Sequence, residues 1–308
     1  MIKKIIFSIY LILIVISQSQ ILNLPIKNKH TISSHFLNNL YNNLYLVYKN
    51  GFDSKIYLNG NMLTSNKIDI FICNHINYLD FLIPYSILDK SNKNTIFLYS
   101  KYMDNLLFMG NLFKYSNNIS LKKNINEDRH NILKNVKNLS NNHIIFLYPE
   151  GTRLSKKKLL DSKKYSKDND LHSYDNLLYP KIKGLYTIIK ILNKANKLGN
   201  IIDCTIKIDG LNINDNGIKH LIKKDLGKTY VIIKNYKARY FEDYKIFKKW
   251  FIQIWDKKEE FLINYKRYKY IEFNYELKIS NIILTNLILT IFLCMIIKLI
   301  FIITSTRQ

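Results

Sequence analysis

Cysteine, glycine and proline are scarce in this 308-residue chain, which has three, nine and four of them. Cys73, Cys204 and Cys294 are odd in number and far apart, and no C-x-x-C pair occurs. That excludes a disulfide framework and a cysteine-based zinc site. No G-x-S-x-G stretch and no reactive cysteine context is present, so a serine or cysteine nucleophile of the known kinds has no support. Internal repeats are absent. Acidic residues are also few, 23 against 47 Lys and Arg, for a net charge of +24. A basic balance suits nucleic acid, an anionic membrane surface or a phosphorylated substrate equally well. Asn, Lys, Ile and Tyr are abundant, as an A/T-rich genome encodes, so the charge is discounted as a sign of nucleic acid. The 23 tyrosines offer stacking surface, but no RNA-binding motif accompanies them. Hydrophobic residues make up 47%, enough for a sizeable core.

Two apolar segments stand at the ends. The first is IIFSIYLILIVIS, residues 5–17, preceded by Lys3 and Lys4. Thirteen residues are short against the roughly 20 that a span needs. The segment reads as a retained anchor, with a cleaved signal or an interfacial segment as the alternative. The second, residues 282–304, has the length of a transmembrane helix, with Lys298 as its only charge. Lys266, Arg267, Lys269 and Lys278 precede it and Arg307 follows, which puts the main domain on the cytoplasmic side. The expected organisation is an N-terminal anchor or signal-like segment at 1–26, a central domain at 27–280, and a C-terminal transmembrane helix with its tail at 281–308.

Between these ends, IDIFIC (68–73), TIFLYS (95–100), NISLKK (118–123), HIIFLYP (143–149), IIDCTIKI (201–208) and TYVIIKNY (229–236) read as strands. Helical spacing marks 78–88, 126–139, 182–192 and the long amphipathic run 241–268. Residues 154–174 have no strong period and read as a loop or exposed helix. Strands alternating with helices predict an α/β fold, a mixed central sheet flanked by helices.

CNHINYLDFL, residues 73–82, places His75 and Asp80 just past a buried-looking strand. On a straight helix a five-residue separation sets the side chains about 140° apart. They meet only if His75 lies in the turn after the strand and Asp80 in the first turns of the helix that follows. Asp80 would then fix the imidazole tautomer, leaving the other nitrogen to act as a base. With no serine-nucleophile motif beside the pair, a substrate hydroxyl is one candidate source of the proton that this nitrogen would take. Further on, FLYPEGTRLS (146–155) ends a second strand with Glu150, Gly151, Thr152 and Arg153. Glycine allows close backbone approach, and Arg with exposed N–H groups makes an anion site. His30, His35, His130, His143, His172 and His220 have no partner pattern and read as structural or surface residues.

NHINYLD and PEGTR, in that order and about 70 residues apart, resemble the first and third motifs of the glycerolipid, or lysophosphatidic acid, acyltransferases. GNLFKYSNNISLKKNINEDR (110–129) is similar to the family's second motif and LLYPKIKGL (177–185) to its fourth. LNGN (58–61) and WFIQIWDKKEEFL (250–262) resemble the eukaryotic branch that includes lysocardiolipin and lysophosphatidylinositol acyltransferases. Two basic positions depart from the family: Lys122 or Lys123 replaces the second motif's Arg, and Lys181 replaces that of the fourth. Lysine binds phosphate as a point charge, without the bidentate fork.

The resemblance implies acyl transfer from acyl-CoA, or acyl carrier protein, to a lysophospholipid hydroxyl, lysophosphatidic acid first among them. It implies His75 as general base and Asp80 as its orienting partner. Glu150, Gly151, Thr152 and Arg153, with Lys122 or Lys123, would bind the acceptor phosphate, and Pro180 and Lys181 would line the donor or acceptor channel. No metal, no cofactor beyond the co-substrate acyl-CoA and no nucleic acid is implied. The implied setting is a membrane, that of the endoplasmic reticulum, with plastid or mitochondrion as alternatives. Remodelling of another lysophospholipid is the alternative reaction. A non-catalytic, basic, membrane-tethered module binding lipid or nucleic acid is the alternative class.

Overall fold

A computed structural model describes residues 2–23, 27–51, 55–77, 80–106, 110–122, 124–211, 213, 227–237, 241, 243–275, 287, 291 and 295. In chain order its first elements are α1 (Ile2–Asn23), α2 (Lys29–Gly51), β1 (Ile56–Asn59), β2 (Ile68–Cys73), α3 (Leu82–Leu88), β3 (Asn94–Ser100), α4 (Gly110–Lys114) and β4 (Ile119–Leu121). They continue as α5 (Ile125–Lys137), β5 (His143–Leu147), α6 (Lys156–Asp168), α7 (Ile182–Lys194), β6 (Leu198–Ile208), β7 (Thr229–Tyr236), α8 (Tyr244–Asn264) and β8 (Ile271–Phe273). The chain divides into two compact units, Met1–Gly51 with Lys101–Asn117 and Glu276–Gln308, and Phe52–Ser100 with Asn118–Tyr275.

The second unit carries an eight-stranded sheet in the order β4-β3-β5-β2-β6-β7-β1-β8. β4, β3, β5, β2 and β6 run parallel, β7 is antiparallel to β6, and β1 and β8 complete the far edge. All six residues of β2 are buried. A parallel strand covered on both faces reads as a nearly continuous apolar run, here interrupted by buried Asp69, whose carboxylate pairs with Lys93 at 2.6 Å. α7 presents Ile182, Leu185, Ile188, Ile189 and Leu192 to the core. α8 adds Phe247, Phe251, Ile254, Trp255 and Phe261, all buried. Each such side chain contributes about 1.5–3 kcal/mol of burial free energy. Because five neighbouring strands are parallel, their C-terminal ends share one edge, where α/β sheets bind ligands.

In the first unit, α1 packs on α2 and α4. Ser33 on α2 donates to the Leu112 carbonyl at 2.6 Å.

The mixed sheet flanked by helices matches the expected α/β class. The C-terminal transmembrane helix of that expectation is corrected: among the described residues no helix is long and apolar enough to cross a membrane. At the opposite end of the chain α1 is short of a span as well. Its apolar run stops at Ile16, before Ser17-Gln18-Ser19-Gln20. At 1.5 Å per residue that run rises about 18 Å, against about 30 Å of hydrocarbon. Apart from residues 287, 291 and 295, the segment 282–304 lies outside the described residues.

Candidate active site

His75 lies two residues past the end of β2. Asn74, between them, is fully buried and pairs with β6 through its side chain. Its amide donates to the Ile206 carbonyl at 2.9 Å, and its Oδ1 accepts the Ile206 N–H at 2.8 Å. This prolongs the sheet ladder by one rung and fixes where the His75 turn begins. Sequence reasoning gave Asn74 no role of its own.

Asp80 is fully buried and lies two residues ahead of α3, rather than inside its first turns. The pair therefore meets ahead of α3 and not within it. Asp80 Oδ2 accepts from the Ile76 and Asn77 backbone N–H groups at 2.5 and 3.0 Å. His75 Nδ1 lies 3.1 and 3.0 Å from the two Asp80 oxygens. The imidazole is about a quarter exposed, at 24%, and its Nε2 has no hydrogen-bond partner among the described residues. A carboxylate on Nδ1 selects the tautomer that carries a proton there and leaves Nε2 able to accept one.

The loop after β5 completes the other wall. Gly151 donates to the Tyr148 carbonyl at 2.9 Å and closes a turn over Pro149 and Glu150. Gly151 has φ +66, which L side chains rarely adopt. A Cβ there would stand 2.9 Å from Lys181 Cδ and 3.4 Å from its ammonium, so Lys181 lies directly over the turn. Three backbone ties stitch the loops together. Leu154 N–H donates to the His75 carbonyl at 2.8 Å, Lys181 N–H to the Pro149 carbonyl at 2.7 Å, and His75 N–H to Glu150 Oε2 at 3.3 Å.

Glu150 is buried. Burial raises its carboxyl well above the usual range, and the Asp80 charge adds to this. The His75 amide and the Lys258 ammonium pull partly the other way. By accepting the His75 N–H, Glu150 braces the His75 backbone. Thr152 and Arg153 are half-buried, Pro180 is buried, and Lys181 is exposed.

One expected phosphate ligand, Lys122, stands elsewhere. Lys122 follows β4, three strand spacings or about 14 Å from β2. It is exposed, and its ammonium pairs with Glu127 at 2.6 Å. Its N–H donates to Asp128 Oδ1 at 2.7 Å. Lys123 lies outside the described residues.

Cys73 and its register partner Cys204 are both fully buried. Burial, together with the neighbouring Cys204, pushes the Cys73 thiol well up, so it is no nucleophile. Among the described residues no group of three or more His, Cys, Asp or Glu is placed to hold a metal ion.

Beside the histidine loop a cleft of about 490 Å³ opens between Ile76, Leu154, Ile206, Ile208 and Leu262, with Lys207 among its walls. Burial lowers the Lys207 ammonium, against the opposing pull of Asp209 and Glu259. The size is that of an ordinary ligand pocket, and the walls are mainly apolar.

Sequence reasoning also passed over Tyr148. Its ring stacks on His75 with centroids 4.1 Å apart and planes at 17°. Its hydroxyl donates to Asp80 Oδ1 at 3.0 Å. The signal available was its place directly before PEGTR at the end of a parallel strand.

Residues 55–171, which include His75, Asp80 and the 150–153 turn, match the family described as Acyltransferase. In structure the chain is similar to the 1-acyl-sn-glycerophosphate (LPA) acyltransferase PlsC from Thermotoga maritima. The TM-score is 0.53 at 13% identity, over 87% of this chain and 98% of that one. At that identity the likeness is one of fold. No curated protein matches the chain.

Proposed function

We propose, from the acyltransferase domain at residues 55–171, that the chain moves a fatty acyl group from acyl-CoA to the free hydroxyl of a lysophospholipid. Lysophosphatidic acid is the proposed acceptor and phosphatidic acid the product. The observation that carries this is the His75–Asp80 pair at the C-terminal edge of the sheet, with Nδ1 held by a buried carboxylate. His75 Nε2 takes the proton of the acceptor hydroxyl as its oxygen attacks the thioester carbonyl. The tetrahedral intermediate then expels the CoA thiolate, which receives that proton from the imidazolium. A new oxygen ester replaces the thioester, with no acyl-enzyme, in keeping with the buried state of Cys73 and Cys204.

The acceptor phosphate is assigned to the turn of Gly151, Thr152 and Arg153. Lys181, lying over Gly151, adds a second positive charge there. Glu150 acts as a brace behind them. The acyl chain is assigned to the apolar cleft beside Ile76 and Leu154. Work at an anionic membrane surface, that of the endoplasmic reticulum, belongs to the same proposal and is supported by the +24 charge.

The test is an acceptor screen with purified full chain, acyl-CoA, and lysophosphatidate, lysophosphatidylinositol or lysocardiolipin. Expected is CoA release matched one for one by phosphatidic acid, fastest with lysophosphatidate. A faster rate with another acceptor would reassign the substrate. CoA release that ignores every acceptor would refute the transfer.

A further inference from the structure

We propose that Tyr148 is a positioning residue of the His75–Asp80 pair: its ring fixes the plane of the imidazole and its hydroxyl fixes the second oxygen of the carboxylate. The consequence for turnover rests on the acyl-transfer reading above; the geometric part does not.

Three observations meet on this one side chain. The 4.1 Å stack at 17° covers one face of the imidazole. That leaves the ring little freedom to rotate away from Asp80. The hydroxyl lies 3.0 Å from Asp80 Oδ1. Among the described residues, Oδ2 accepts two backbone N–H groups and His75, while Oδ1 meets His75 and this phenol. Without the phenol Oδ1 would keep His75 alone of these two, and the carboxylate could turn. Tyr148 itself is held from behind by Phe146, edge to face at 4.8 Å, and Phe146 in turn by Phe97 at 5.0 Å.

Packing alone does not call for the oxygen. A phenylalanine would fill the same space against Phe146 and His75. The hydroxyl instead ends on the carboxylate that orients the base. Burial, with Asp80 next to it, raises the phenol well above its ordinary range, so it stays a donor throughout the working pH. A donor on Oδ1 draws charge from the carboxylate, and the imidazolium formed during transfer is stabilised less. Its proton is then released more readily to the departing thiolate. The other titratable groups around the pair are Glu150 on the neighbouring turn, Cys73 at the end of β2, Cys204 on β6 and Lys258 on α8. A Tyr148→Phe change leaves all of them in place.

The experiment compares full-length wild type, Tyr148→Phe, Tyr148→Leu and His75→Ala. With acyl-CoA and lysophosphatidate, Tyr148→Phe is expected to lower kcat about 10-fold with KM nearly unchanged, and Tyr148→Leu to lower it further. Independently of turnover, NMR of ¹⁵N-histidine-labelled protein follows the ring of His75, identified by its loss in His75→Ala. Tyr148→Phe should move the protonation midpoint of that ring upward by roughly half a pH unit. Tyr148→Leu should also remove the ring-current shift that the stacked phenol imposes. A Tyr148→Phe midpoint coinciding with that of wild type overturns the proposal. Absence of transfer by wild type would instead overturn the acyl-transfer reading, and the NMR result would still decide for or against Tyr148.

Discussion

Both oxygens of Asp80 are engaged by the protein before any substrate arrives, and Glu150, the second buried carboxylate of the site, braces the His75 backbone. The two differ in what their charge meets. Asp80 faces two N–H groups, a phenol and the imidazole. Glu150 is raised chiefly by burial. A carboxyl whose folded range lies above its unfolded one binds its proton more tightly in the folded state. Its contribution to stability is therefore full below about pH 4, near the unfolded value, and falls as pH rises toward the folded one. Glu150→Gln keeps an acceptor for His75 N–H and removes that charge. In thermal melts at about pH 8 it should unfold about 2–4 °C above wild type, with the gap closing by about pH 4. A gap independent of pH would contradict this. His75, Asp80 and the 150–153 turn were legible in the sequence chiefly through the likeness of NHINYLD and PEGTR to the acyltransferase motifs, with spacing after an apolar strand as a weaker sign. Tyr148 and Asn74 were not. Their roles depend on β5 and β6 flanking β2, and sequence order does not reveal sheet order.

At the scale of elements, the site edge rests on β6 and on the helix behind it. Lys258 of α8 is almost wholly buried, with its ammonium 2.5 Å from Asp203 Oδ1, 2.5 Å from the Cys204 carbonyl and 3.1 Å from Thr205 Oγ1. It thus anchors the stretch of β6 just before Ile206, where Asn74 docks. Lys258→Met should cost about 3–5 kcal/mol in urea unfolding, because it strands Asp203 in the core. The Lys258→Met, Asp203→Leu double variant should recover part of the loss. Equal midpoints for Lys258→Met and wild type would show that the pair bears no stability. The central strands were readable from their apolar runs, and β7 to the residue. β1 and β8, four and three residues long, were too short to show a pattern. α2 escaped because Asn39, Asn42 and Asn43 are buried among Phe36, Leu37 and Leu40, which erases the polar–apolar alternation of a surface helix. α6, left open as loop or exposed helix, forms behind Ser155, whose side chain caps Lys158 N–H; its six lysines had masked its periodicity.

For the molecule as a whole, composition narrowed the chemistry more than it described the architecture. The lack of a cysteine or serine nucleophile pointed to a substrate hydroxyl, and the structure places both candidate thiols in the core. Hydropathy alone led to a C-terminal membrane span, which the described residues do not provide. The net charge of +24 fits anionic lipid and CoA without choosing between them, so the account stands on the histidine. The most direct measurement is steady-state acyl transfer from acyl-CoA to lysophosphatidate by wild type and His75→Ala, with melting curves to show that both fold. The account predicts a loss of about 10²- to 10⁴-fold in kcat at unchanged fold. A His75→Ala protein that folds and transfers at the wild-type rate would contradict it.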